Sequence, residues 1–117
     1  MLCLKEGIDP ACLRAYGFKQ GKELAAEGVP GFQGVGYSWK HEMWFKLHEN
    51  PDEGGYMFMD GFDDIAQGTL YISSNGELSL DVAPSCSYHI DSWDFQDLLD
   101  TIGQLCIDGF IEYVEVN

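Results

Sequence analysis

The stretch Thr69-Leu-Tyr-Ile-Ser-Ser-Asn75-Gly76-Glu-Leu-Ser-Leu-Asp-Val82 decides the fold. Two runs of alternating polarity flank Asn75-Gly76. A period of two sends successive side chains to opposite faces of a strand, and Asn-Gly tolerates the positive φ of a tight turn. The reading is an antiparallel hairpin. Upstream, Tyr37, Trp39, His41, Met43, Phe45 and Leu47 alternate with Ser38, Lys40, Glu42, Trp44 and Lys46. That predicts one long strand over 37–47, with His41 as a core histidine on its apolar face. Trp44 falls on the polar side, where it is either covered by another layer or part of a binding or dimer surface.

Between these segments, Asn50 to Gly55 reads as a turn, Tyr56 to Met59 as a short strand, and Asp60 to Asp64 as an acidic loop. His48 is expected to be exposed near the turn. At the front, residues 1–8 supply a starting strand and Asp9-Pro10 opens a helix, because Asp caps and Pro loses nothing at the first helical position. Gly17 ends that helix in the left-handed cap, Lys22 to Glu27 form a further helical turn, and Gly28 to Gly36 read as loop. At the back, a helix capped by Asp91 or Ser92 runs to about Ile107 and stops at Gly109, and Phe110 to Val116 form a final strand. The fold class is α+β: a mostly antiparallel sheet of about 4–6 strands, an N-terminal helix and a longer C-terminal amphipathic helix over about 91–108, with the helices on one side. The length of 117 residues suits one domain.

Charge narrows the function. Twenty acidic residues against six basic ones give a net charge of −14, which disfavours direct contact with nucleic acid or an anionic membrane. All six basic residues (Lys5, Arg14, Lys19, Lys22, Lys40, Lys46) lie in the first 46 positions, where five acids leave a net +1, and the other 71 positions carry 15 acids and no Lys or Arg. On a helical wheel of residues 91–108, Phe95, Leu98, Leu99, Ile102, Leu105 and Cys106 form the apolar stripe. Asp94, Asp97, Asp100 and Asp108 fall on the other side with Trp93. An acidic helix face is ordinarily just solvated. Natural surfaces mix signs, however, and a carboxylate row without countercharge attracts a basic partner, with Glu112 and Glu115 adding charge and Trp93 either an aromatic anchor in that contact or a rim core residue.

Chemistry-bearing motifs are few. Cys86-Ser-Tyr-His89 has a spacing that suits one metal ion, and Cys3 and Cys12 would complete a tetrahedral zinc set. The plainer alternative makes Cys86 a small buried hydrophobe and His89 a loop cap. Asp60, Asp63 and Asp64 lack calcium-loop spacing. A Cys86–His89 nucleophile pair oriented by Asp91 ranks last, because sequence neighbours seldom form such triads and no oxyanion-hole motif accompanies it. Neither a Walker A motif nor a GxGxxG motif is present. The N-terminus lacks a signal-peptide pattern and no apolar run approaches a membrane span, so a cytoplasmic protein with unlinked thiols is expected.

The segment Asp9-Pro-Ala-Cys-Leu-Arg-Ala-Tyr-Gly-Phe-Lys19, with the small size and heavy acidity, resembles small proteins encoded by phages and mobile elements, the anti-CRISPR proteins in particular. The likeness covers about a tenth of the chain and transfers no functional residue. It implies a non-catalytic inhibitor that enters the host cytoplasm's defence machinery by presenting a phosphate-mimicking surface to the basic channel of a CRISPR effector nuclease. The alternative expectation is a small acidic structural or assembly domain, dimerising through its aromatic strand.

Overall fold

The computed structural model describes residues 1–50, 52–59, 61–83 and 95–115. At its centre is the expected hairpin, β6 (Gly68–Ile72) and β7 (Leu78–Val82), in register from Gly68 opposite Val82 to Ile72 opposite Leu78. The turn differs from the tight two-residue form. Gly76 N donates to Ser73 O at 2.9 Å and Ser73 N to Glu77 O at 3.0 Å, and of the turn residues only Gly76 has a positive φ, 87°. This is a turn followed by a glycine bulge. The Asn75 side chain accepts from Glu77 N at 3.1 Å, which stabilises the turn with Asn75 outside the left-handed region.

β3 (Trp44–Leu47) pairs antiparallel with β6, and β2 (Lys19–Gln20) pairs with β3, giving a four-stranded sheet in the order β2-β3-β6-β7. β1 (Leu2–Leu4) pairs with β8 (Ile111–Tyr113), and β4 (Phe58–Met59) with β5 (Phe62–Ala66). β1 also docks on the hairpin tip, with Leu4 N donating to Gly76 O at 2.9 Å. The chain is therefore α+β with antiparallel sheets, as expected. The front helix is a 3-10 helix, Pro10–Tyr16, capped by the Asp9 side chain and closed by Gly17 at φ 91°. The short α1 (Gly21–Ala26) lies inside the expected helical segment and its glycine boundary. The C-terminal helix α2 (Gln96–Ile107) ends as read, with Gly109 at φ 79°. Its expected caps, Asp91 and Ser92, lie outside the described residues.

Two predicted elements differ. The strand over 37–47 is a 3-10 helix (Val35–Lys40) followed by a strand only four residues long. The apparent period of two before Met43 has another origin: the rings of Tyr37 and Trp39 lie within 4.8 and 5.4 Å of the Lys40 ammonium, an attraction of cation for π-face rather than a pleat. His41 consequently caps that 3-10 helix, half-buried, and is not a strand core residue. The acidic loop over 60–64 gives way to β5, because Phe58 and Met59 find partners in Ala66 and Phe62.

Helices also cover both faces of the sheet rather than one. Trp44, Leu70, Ile72 and Leu78 pack under α2 and the first 3-10 helix with Phe95, Leu98 and Leu105. Phe45 and Leu47 point the other way, against Leu24 of α1, Val29 and Phe32. Trp44 is thus 8% exposed, covered, and no part of a surface. Gly68 makes the close approach of α2 possible, since a Cβ there would stand 2.6 Å from Phe95 Cε1 and 3.2 Å from Leu98 Cδ1. Gly68→Ala is expected to cost about 1–3 kcal/mol by overpacking. An unchanged midpoint in urea denaturation contradicts this.

Candidate functional site

Strand β3 decides how α2 sits. Its alternation sends Lys46 to the α2 face, and His48, one step beyond the strand, follows. The Lys46 ammonium donates to Tyr16 O and to Thr101 Oγ1, each at 2.7 Å. Thr101 Oγ1 in turn donates to Asp97 O at 2.8 Å. Asp97 Oδ1 lies 2.8 Å from His48 Nδ1, and Asp97 Oδ2 accepts from Glu49 N at 3.2 Å. His48 is 5% exposed, with its ring centroid 4.9 Å from that of Phe95. The expectation of an exposed His48 is therefore corrected: the turn after β3 folds it under the helix, where a carboxylate meets it. Burial pulls the Lys46 amine below the ordinary lysine range, and Asp97 and Glu49 oppose that pull. Hydrogen bonds to charged groups contribute about 1.5–3 kcal/mol each, so this polar seam holds the first 3-10 helix, β3 and α2 together.

The seam divides the expected acidic row. Asp97 turns toward the sheet, and α2 rotates with it: Leu98, Thr101 and Leu105 are buried, whereas Cys106 and Leu99, both read as apolar-stripe residues, are exposed. Asp100 remains on the outer face and accepts from Gln96 Nε2 at 2.5 Å. Asp108 accepts from Gln104 Nε2 at 2.9 Å and from the Tyr16 hydroxyl. The donors are the side chains of Gln96, Gln104 and Tyr16, so none of these contacts supplies a countercharge. Glu112 on β8 and Glu115 beyond it are exposed. Asp94 and Trp93 lie outside the described residues.

Two exposed apolar residues were not singled out from the sequence. Ile107 is 79% exposed and Tyr113 is 71% exposed, beside Asp108 and Glu112 in the chain. The available signal was that Ile107 falls off the apolar stripe of the wheel. Each stands next to an acid in the sequence, and singly exposed apolar residues are ordinary on a protein surface.

Ion pairing preserves the charge split. Among the described residues, the pairs between Lys or Arg and carboxylates are Arg14–Glu23 at 2.7 Å, Lys19–Glu27 at 2.8 Å and Lys22–Glu42 at 3.4 Å. Every one joins residues within the first 46. Lys40 donates to Gly31 O at 2.9 Å, and Lys46 is held in the seam. The acids beyond residue 46 that are described thus have no Lys or Arg ion-pair partner among the described residues.

Two of the four expected zinc ligands lie among the described residues, both as free thiols. Cys3 sits in β1 opposite Glu112, and Cys12 is exposed on the first 3-10 helix. Cys86 and His89 lie outside the described residues. Among the described residues no three His, Cys, Asp or Glu side chains gather as a metal site, and no helix is long and apolar enough to cross a membrane. No protein-family model matches the chain, nor does any curated protein or solved structure.

The Tyr16–Asp108 contact has a titration signature. Partial burial and the neighbouring carboxylate push the Tyr16 phenol up to about 12 from 10.0. A raised pKa favours the neutral form in the folded state, so this contribution to stability is full below pH 10 and is lost as pH climbs from 10 toward 12. Ultraviolet titration should therefore find a late-ionising phenol in the folded protein. Tyr16→Phe is expected to remove it. Retention of the late phenol in that variant contradicts the assignment.

Proposed function

We propose that this protein is a non-catalytic inhibitor that binds a basic, nucleic-acid-handling protein through its acidic surface, most concretely a CRISPR effector nuclease. One observation carries the reading: the described acids beyond residue 46 lack Lys or Arg ion-pair partners among the described residues, while five of the six front cations are engaged by front acids or by the seam and loop. Asp100, Asp108, Glu112 and Glu115 supply phosphate-like charge, and Ile107 and Tyr113 supply apolar contact beside it. A groove built to hold nucleic-acid phosphates offers the complementary field, and attraction between the two speeds association and makes it salt-sensitive.

Asp97 has a different role in this scheme, since its carboxylate seats the helix. Asp97→Asn should cost about 1–3 kcal/mol by weakening the partner of buried His48, measured by urea unfolding. The triple reversal Asp100→Lys, Glu112→Lys and Glu115→Lys should not lower stability, and should lower the association rate with a purified guide-loaded nuclease by about tenfold or more, the range over which electrostatic steering acts. The wild-type complex should also weaken as salt rises. Equal association rates for the triple variant and the wild type overturn the acidic-surface reading.

A further inference from the structure

The sheet face turned away from α2 holds a cavity of ≈ 240 Å³, below the roughly 300–1,000 Å³ typical of larger-ligand sites. Its floor is apolar, with Phe45, Leu47 and Tyr71 among the lining residues, and Lys40, Asp64 and Asp81 also line it. Thr69 stands directly across the ladder from Asp81, which places both on the cavity side of the β6–β7 hairpin. The Lys40 ammonium is held in place: it donates to Gly31 O at 2.9 Å and lies 4.7, 4.8 and 5.4 Å from the rings of Phe32, Tyr37 and Trp39. An ammonium has three N–H donors, and one is used by Gly31. Asp64 and Asp81 are exposed and accept no hydrogen bond or ion pair among the described residues. Opposite charges therefore line one small cavity without meeting. Lys40 is engaged instead by the three rings and Gly31 O, and burial already costs its amine some of its proton affinity.

A molecule that satisfies all three parts carries a carboxylate, an ammonium and an apolar body. We propose that this cavity binds a free α-amino acid with an apolar side chain, its carboxylate on Lys40, its ammonium on Asp64 and Asp81, and its side chain on the floor formed by Phe45, Leu47 and Tyr71. Both termini of the ligand are needed. The end of a peptide presents only one of the two charges, so the site selects the free amino acid over a peptide terminus. The cavity lies across the sheet from α2 and does not depend on the partner reading above.

The experiment titrates the full-length, isotopically labelled chain with L-phenylalanine, N-acetyl-L-phenylalanine and L-phenylalaninamide, following backbone amide shifts and heat. Phenylalanine should shift the amides of Thr69, Tyr71 and Asp81. Loss of either charged group should weaken binding by about tenfold or more, the worth of a charged hydrogen bond. Asp81→Asn, at an exposed position, should weaken phenylalanine but not N-acetylphenylalanine, and Lys40→Met should weaken phenylalanine but not the amide. Should Lys40→Met fail to fold, the Asp81 variant and the three ligands decide alone. Absence of shifts at the cavity at millimolar phenylalanine overturns the proposal, and so does equal affinity for the three ligands.

Discussion

Six cations have to serve twenty carboxylates in this chain, and where the fold places those cations governs the rest. Lys46 is the most consequential. Taken out of water, an ammonium is costly unless its donors are met, and here Tyr16 O and Thr101 Oγ1 meet two of them. The same contacts fix the first 3-10 helix and α2 against β3. Through Thr101 the chain of hydrogen bonds reaches Asp97 and then His48. The helix consequently turns a carboxylate and a hydroxyl toward the sheet, and exposes Cys106 and Leu99. Packing at Gly68 sets how close the helix comes, and the seam sets how it is rotated.

Four of the other five cations follow the same allocation. Arg14, Lys19 and Lys22 pair with Glu23, Glu27 and Glu42, acids of their own stretch of chain. Lys40 is drawn into aromatic rings and a carbonyl. A charge split visible along the sequence thus persists in space as ion pairing within the front and carboxylates without Lys or Arg partners elsewhere among the described residues. Exposed pairs of the Lys22–Glu42 kind add little stability. Their effect is to keep those cations from relieving the acids elsewhere.

Much of the architecture was legible from local rules. The β6–β7 hairpin, the Asp9 cap with its Gly17 stop, and the end of α2 at Gly109 each rest on a short-range preference that tertiary packing had no reason to override. The errors have tertiary causes. Tyr37 and Trp39 alternate because they gather on Lys40, so a period of two was present without a strand. Asp97 and His48 read as a surface acid and an exposed turn histidine, since nothing within either segment shows that the other arrives opposite it. The separation between them in sequence is 49 residues, and only the sheet and helix together bring them to 2.8 Å. For the candidate surface, composition pointed to the acids after residue 46, and the structure removed Asp97 from the outer row and added Ile107 and Tyr113.

The central claim is that the described carboxylates beyond residue 46, lacking Lys or Arg ion-pair partners among the described residues, repel one another, and thermal unfolding in sodium chloride tests it most directly. Between about 0.01 and 1 M salt the screening length falls from about 30 to about 3 Å, which removes repulsion among exposed charges while leaving the buried seam largely untouched. The account predicts a melting temperature that rises steadily with salt. A melting temperature that stays level or falls would mean that the acids are already compensated, and would contradict it.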